Sequence, residues 1–126
     1  MKTPDNLKYT KSHEWVAFLE ADKIRVGITD FAQEALGNIV FVNLPEVADE
    51  VAAGDSFADV ESVKAVSDIN APAAGVISEI NEEVMDAPEL LNEEPYDAWL
   101  VEISGISEVE ELLDAQAYEA YCREEE

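Results

Sequence analysis

Apolar residues in this chain fall first into short runs of strand length and only near its end into a helical spacing. Val16-Ala17-Phe18-Leu19 and Ile24-Arg25-Val26-Gly27-Ile28 flank the polar Glu20-Ala21-Asp22-Lys23, a break of hairpin length, and predict two antiparallel strands. Asp30-Phe31-Ala32-Gln33 couples an N-cap residue to a glutamine three positions on, and Leu36 follows on the apolar side. Gly37 suits the left-handed conformation that ends a helix, so a short helix or turn is expected here. Ile39 to Leu44 is β-branched and aromatic up to Pro45, whose missing N–H stops strand pairing.

Two more strands are expected around a polar tip. Phe57 to Val63 alternates apolar and polar with period two, Val66 to Pro72 does so less strictly, and Lys64-Ala65 lies between them at the tip of a hairpin. Gly54-Asp55 and Gly75 mark comparable turns, each followed by a strand, the second being Val76 to Ile80; the layout hints at two similar halves but falls short of a repeat. Asp86 to Asp97 holds Pro88 and Pro95 among acids and predicts a loop with one helical turn at Glu89-Leu90-Leu91, before a last strand over Trp99 to Ile103. Ser107 and Glu110 form a capping box, and Val109, Leu112, Leu113, Ala117, Ala120 and Tyr121 fall on one side at helical spacing. This predicts a C-terminal amphipathic helix laid on the sheet, with residues 123–126 frayed because Glu124-Glu125-Glu126 opposes the helix dipole. The expected fold class is mainly β, a small sandwich or flattened barrel with short peripheral helices and that C-terminal helix.

Length and composition narrow the picture further. With 126 residues, 48% of them hydrophobic, one compact domain over residues 1–126 is the expectation. No apolar run approaches the roughly 20 residues that cross a bilayer, and Met1 to Asn6 lacks a signal-peptide segment, so a cytoplasmic protein without a membrane partner is expected. Seven Lys and Arg against 30 Asp and Glu give a net charge of −23, which repels nucleic acid and anionic membranes and favours partners with basic docking faces, though an acid-rich solvated surface explains it equally well. Cys122 is the single cysteine and His13 the single histidine, so neither an internal disulfide, nor a protein-only dithiol, nor a His/Cys metal cluster can be built. Two-electron sulfur chemistry would need a cofactor's sulfurs. His13, Trp15, Trp99 and Cys122 have simpler accounts as turn and packing residues, and no catalytic constellation stands out.

Lys64 is the only Lys or Arg between Arg25 and Arg123. A protruding turn would let an acylating enzyme reach its amine from all sides, yet spacing alone leans to an ordinary surface lysine that keeps the hairpin soluble. The wording around it changes the balance: Glu61-Ser62-Val63-Lys64-Ala65-Val66-Ser67-Asp68 resembles the lipoyl-attachment hairpin of glycine cleavage H proteins. Tyr9 to Trp15, Val26 to Gln33, Val40 to Pro45, and Pro88 to Asn92 with Pro95-Tyr96 resemble the same family in the same order, so the likeness runs from about Leu7 to Glu124. Asn38 stands where family members usually carry an acid, and Tyr96-Asp97-Ala98-Trp99 is shorter than the usual glycine-containing loop.

The resemblance implies a barrel–sandwich hybrid of the lipoyl and biotinyl carrier kind, with lipoic acid in amide linkage on Lys64. It implies a non-catalytic carrier, expected as a monomer, whose arm takes the aminomethyl group of glycine from glycine decarboxylase (P protein) to an aminomethyltransferase (T protein) and is reoxidised by dihydrolipoyl dehydrogenase (L protein). A lipoate ligase or lipoyltransferase would load it, and Glu61 is a candidate for orienting the hairpin in that enzyme, against the simpler account of an exposed strand carboxylate. The resemblance also implies a cleft in which Ser12, Glu14 and Asp68 accept hydrogen bonds from the ammonium of the loaded arm. The plainer account makes Ser12 and Glu14 a turn entering the first strand and Asp68 a local turn bond. Alternatives are a lipoyl domain or lipoate-relay carrier for 2-oxoacid dehydrogenases, although those domains typically show Asp-Lys-Ala where this chain has Val63-Lys64-Ala65, or an unmodified acidic interaction protein.

Overall fold

The computed structural model describes residues 2–125. In chain order, β1 (Lys8–Tyr9), β2 (Glu14–Glu20) and β3 (Lys23–Ile28) lead into α1 (Asp30–Leu36) and β4 (Ile39–Asn43). Then come β5 (Glu50–Val51), β6 (Ser56–Ser62), β7 (Val66–Asn70) and β8 (Ala74–Ile80), followed by α2 (Glu82–Asp86), α3 (Leu90–Glu93), β9 (Val101–Ser107) and α4 (Ala115–Glu125). The strands form two antiparallel sheets, one ordered β1-β2-β3-β9-β8-β5 and one ordered β4-β6-β7. This is the mainly β architecture with short peripheral helices that the apolar pattern predicts.

The two sheets close over one core because period two sends alternate side chains inward. Val42 and Val60 pair on the inner face of the three-stranded sheet, where both are buried with Ile39 and Ile69, and meet Val26, Ile77, Val101 and Ile103 from the larger sheet. A second cluster, Tyr9, Trp15, Ala115, Tyr118 and Cys122, lies between β1, β2 and α4. Gly27 is required there, since a Cβ would fall 2.5 Å from the Trp15 indole opposite it. Trp15 is thus a core residue, whereas the half-buried Trp99 lies at the rim, with the Arg25 guanidinium 4.8 Å above its ring.

Four local expectations are corrected. The cap of α1 is Thr29, whose hydroxyl accepts from Ala32 N–H at 3.1 Å, while Asp30 is the first helical residue and accepts from the Gln33 amide. A helix not expected, α2, forms after Asn81, which caps it by accepting from Glu83 N–H and is followed by acids in the first turn. The supposed capping box at Ser107 does not form, because Ser107 pairs with Ala74 at the end of β9 and Glu108 turns the chain with φ 49°. Residues 109–112 form neither helix nor strand, Leu113 exchanges backbone bonds with Tyr9, and the helix begins only after Asp114, which accepts from Ala117 N–H at 2.8 Å. Its buried face is therefore Ala115, Tyr118 and Cys122 rather than Ala117, Ala120 and Tyr121.

The structure carries α4 through Arg123 to Glu125, with the Glu125 carboxylate 2.9 Å from His13 Nε2; residue 126 of the expected tail lies outside the described residues. His13 is a turn and packing residue, at φ 73°, stacked on Phe31 and bonded to the Tyr118 hydroxyl.

Candidate functional site

Lys64 stands at the turn between β6 and β7, and the turn is built by Ser62. Its N–H donates to the Ala65 carbonyl at 2.8 Å, and its hydroxyl accepts from the N–H groups of Lys64 and Ala65 at 3.3 and 3.1 Å. Serine hydroxyls commonly fold back on the backbone in this way and fix a turn without help from packing. Val63 N–H donates to the Asn38 carbonyl, tying the tip to the loop after α1. That loop turns at Gly37 with φ 81°, and the Lys64 side chain lies against it, its Cε only 3.2 Å from where a Cβ would stand. The side chain is exposed.

A separate cleft of about 410 Å³ opens beside the start of β2, lined by Thr10, Ser12, Glu14, Asn70, Pro72 and Glu110 among others. Glu14 forms its floor and is only 1% exposed. One carboxylate oxygen accepts from the hydroxyls of Thr10 at 2.6 Å and Ser12 at 2.5 Å, and the other accepts from Asn70 N–H at 3.3 Å. Burial pushes the Glu14 carboxyl above the usual glutamate range, and the hydrogen bonds from Ser12, Thr10 and Asn70 offset this only in part. Among the described residues every hydrogen-bond donor to Glu14 is neutral. Lys11 also lines the cleft, but it pairs with Glu111 at 3.1 Å, both side chains being well exposed.

Ser12 and Glu14 are thus brought together, and Asp68 is not with them. Asp68 faces solvent on the outer side of the three-stranded sheet, in a cross-strand row with Asp59 and Asn43. The physical cause is the pleat of β7: Ile69 points into the core, so its neighbour Asp68 must point out. Glu61 is exposed one row nearer the tip, between Phe41 and Val66. Sequence reasoning missed Thr10, Asn70 and Ser62. A threonine opening a turn carries a weak signal, but Asn70 contributes a backbone N–H, which no side-chain pattern reveals. Among the described residues no group of three or more His, Cys, Asp or Glu could hold a metal ion. Likewise no helix among them is long and apolar enough to cross a membrane.

A lone exposed amine at a pinned hairpin tip and a buried carboxylate in a separate cleft describe a surface fit for modification and for a cation, without naming either. A family model described as glycine cleavage H-protein matches residues 7–125. The chain belongs to the glycine cleavage H-protein family. It is 55% identical over 125 residues to the glycine cleavage system H protein of Lachnoclostridium phytofermentans, covering 99% of this chain and 98% of the relative. It is also 55% identical to that of Halalkalibacterium halodurans, with 97% of each chain covered. A crystal structure of a glycine cleavage system H protein from Mycobacterium marinum superposes with a TM-score of 0.86 at 44% identity, over 97% of this chain and 98% of that one. The function is accordingly that of an H protein of the glycine cleavage system, a lipoyl carrier.

Proposed function

We propose that Lys64 is the residue that carries lipoate, and that the cleft over Glu14 receives the amine end of the loaded arm. The observation that carries the reading is the Lys64 amine itself, exposed at a turn that Ser62 pins and remote in sequence from any other cation. Amide formation needs an amine that an activated acyl group can approach, and a tip held by three short-range hydrogen bonds to Ser62 offers it without local unfolding. Bound there, lipoate would supply a disulfide that takes up a one-carbon amine unit and is left as a dithiol, chemistry that the single Cys122 cannot perform alone.

The chain's own residues would then bind and shield. Glu14 and the hydroxyls of Ser12 and Thr10 are acceptors gathered within one cleft, and a carboxylate bonded only by neutral donors is matched to an ammonium. Ionising Glu14 in its buried setting is unfavourable, and a cation arriving beside it reverses the shift, so the cleft favours the amine over neutral guests. Asp68 is not part of this set, its exposed carboxylate lying on the outer sheet face. Tethering the arm to one domain makes each meeting with the cleft a local search.

In this reading the chain catalyses nothing itself and serves a glycine decarboxylase, an aminomethyltransferase and a dihydrolipoyl dehydrogenase in turn, after loading by a lipoate ligase or lipoyltransferase in the cytoplasm. The test is a reconstituted glycine breakdown mixture together with the intact mass of the chain after treatment with lipoate and a ligase. Wild type is expected to gain one lipoyl group and support turnover, and Lys64→Arg to do neither. An Lys64→Arg chain as active as its parent would overturn the assignment, and a wild type left unmodified would favour an unmodified acidic interaction protein.

A further inference from the structure

The surface beside Lys64 is apolar in a way that the strand period does not produce by itself. In β4, Ile39 pairs with Ser62 and Phe41 with Glu61, so Val40 is an extra residue, a β-bulge at the edge of the three-stranded sheet. The bulge changes the parity of the strand: Ile39 and Val42 are buried, while Val40 and Phe41 both face solvent, 55% and 51% exposed. At the tip, Val63 and Val66 flank the lysine at 71% and 65% exposure. Phe41, Glu61 and Val66 form one cross-strand row on the outer face, and the Val63 N–H bond to Asn38 holds the tip next to the start of β4. Four large apolar side chains are therefore exposed along the hairpin tip and the adjoining edge strand, and the exposed carboxylates of Glu61 and Asp68 lie on the same face as Phe41 and Val66. Apolar patches rimmed by charge on a sheet edge mark protein contacts rather than a solvated surface.

We propose that the Val40–Phe41 bulge, together with Val63 and Val66, is the docking surface for the enzyme that acylates Lys64, a partner with an apolar lip and a basic rim around its lysine entrance. The inference rests on Lys64 being the acylated residue. Distance selects this partner among those the chain would meet. In the acylation step the free Nζ of Lys64 attacks the carbonyl carbon of an activated acyl donor such as an acyl-adenylate, the amide bond forms, the adenylate leaves and the amine loses a proton. That partner must bring its reacting atoms to Nζ and so must cover the tip. Partners that act on the far end of the finished arm have no such need. Charge agrees, because Glu61 and Asp68 would meet basic side chains at the rim of the contact.

The test is the rate of lipoate transfer to the full chain by a purified ligase with ATP, followed by intact mass at sub-saturating chain. Val40→Ser/Phe41→Ser alters solvent-facing side chains and should fold as the parent does by thermal melting. It is expected to lower kcat/KM for acylation about tenfold, through KM, as loss of apolar contact of this size implies. Val66→Ser alone, outside the bulge, should lower it about threefold, and Val109→Ser, an exposed apolar residue elsewhere, should leave it unchanged. Acylation of the bulge variant at the parental rate overturns the proposal. So does a variant that is acylated normally but, once loaded to completion, fails with the enzymes acting on the arm. A parent chain that is never acylated would instead refute the assignment of Lys64.

Discussion

Two glutamates in this molecule are equally buried and are treated in opposite ways. Glu14 and Glu102 are 1% and 2% exposed, each on a strand of the larger sheet. Glu102 accepts from the Arg25 guanidinium at 3.1 and 2.7 Å and lies 3.4 Å from Lys23 Nζ, and Arg25 pairs with it directly across β3 and β9. Burial works to raise its pKa, but the hydrogen bonds from Arg25 and Lys23 outweigh it and hold the carboxyl below the usual range. Glu14 has hydroxyls and a backbone N–H, and burial wins. A carboxylate with its own cations has its charge settled within the fold. One with neutral donors beside a cleft retains an unmet preference for positive charge, and that separates a structural acid from one able to hold a guest.

The two glutamates differ most in what Glu102 contributes to stability. Glu102→Ala leaves Arg25 and Lys23, about a third exposed, without their shared acceptor on the sheet face opposite to Val101 and Ile103. A loss of about 2 to 3 kcal/mol in urea denaturation is expected, with retention of the carried amine unchanged once the chain is loaded. Glu14→Ala should show the reverse balance. Its bonds are to neutral donors, so stability should fall by about 1 kcal/mol, while hydrolytic loss of the amine from the loaded arm should speed up about tenfold, the equivalent of ~1.4 kcal/mol. Lipoylation itself should proceed as in the parent. An unchanged decay rate for Glu14→Ala would reduce Glu14 to a turn residue tying Thr10 and Ser12 to β2.

How much of this could be seen in the sequence depends on which physical rule governed each residue. Period two gave the hairpin around Lys64 and both of its strands, because Val60, Ala58 and Ile69 obey it and nothing competes. It could not give the bulge at Val40, where Ile39 to Val42 are uniformly apolar and only the pairing with β6 decides which of them turn outward. Ser107 and Glu110 carried a sound local helix signal, but pairing of Ser107 with Ala74 and the bond from Glu110 N–H to the Pro72 carbonyl overrode it. Glu14 and Ser12 were legible through family likeness and are neighbours in the chain. Their cleft was not legible, since its far wall comes from Asn70 to Pro72, distant in sequence and contributing through backbone.

The smallest expected difference between the two glutamates lies in how stability varies with pH. Glu14 has its pKa raised in the fold, so its contribution to stability is complete below the ordinary glutamate range and is lost as pH rises from that range through the folded value. Glu102 has its pKa lowered, so its contribution is complete above the ordinary range and is lost as pH falls through the folded value. The two slopes oppose each other across acid pH, and the parent's stability curve partly conceals both. Glu14→Gln should remove the decline on the rising side, and Glu102→Gln the decline on the falling side, each by less than the corresponding alanine effect. Urea midpoints of the three chains measured from below pH 4 to above pH 7 would read the slopes directly. Parallel curves for parent and Glu14→Gln would mean that the buried carboxyl of the cleft is already compensated, leaving only the hydroxyl acceptors of Ser12 and Thr10 to favour a cationic guest.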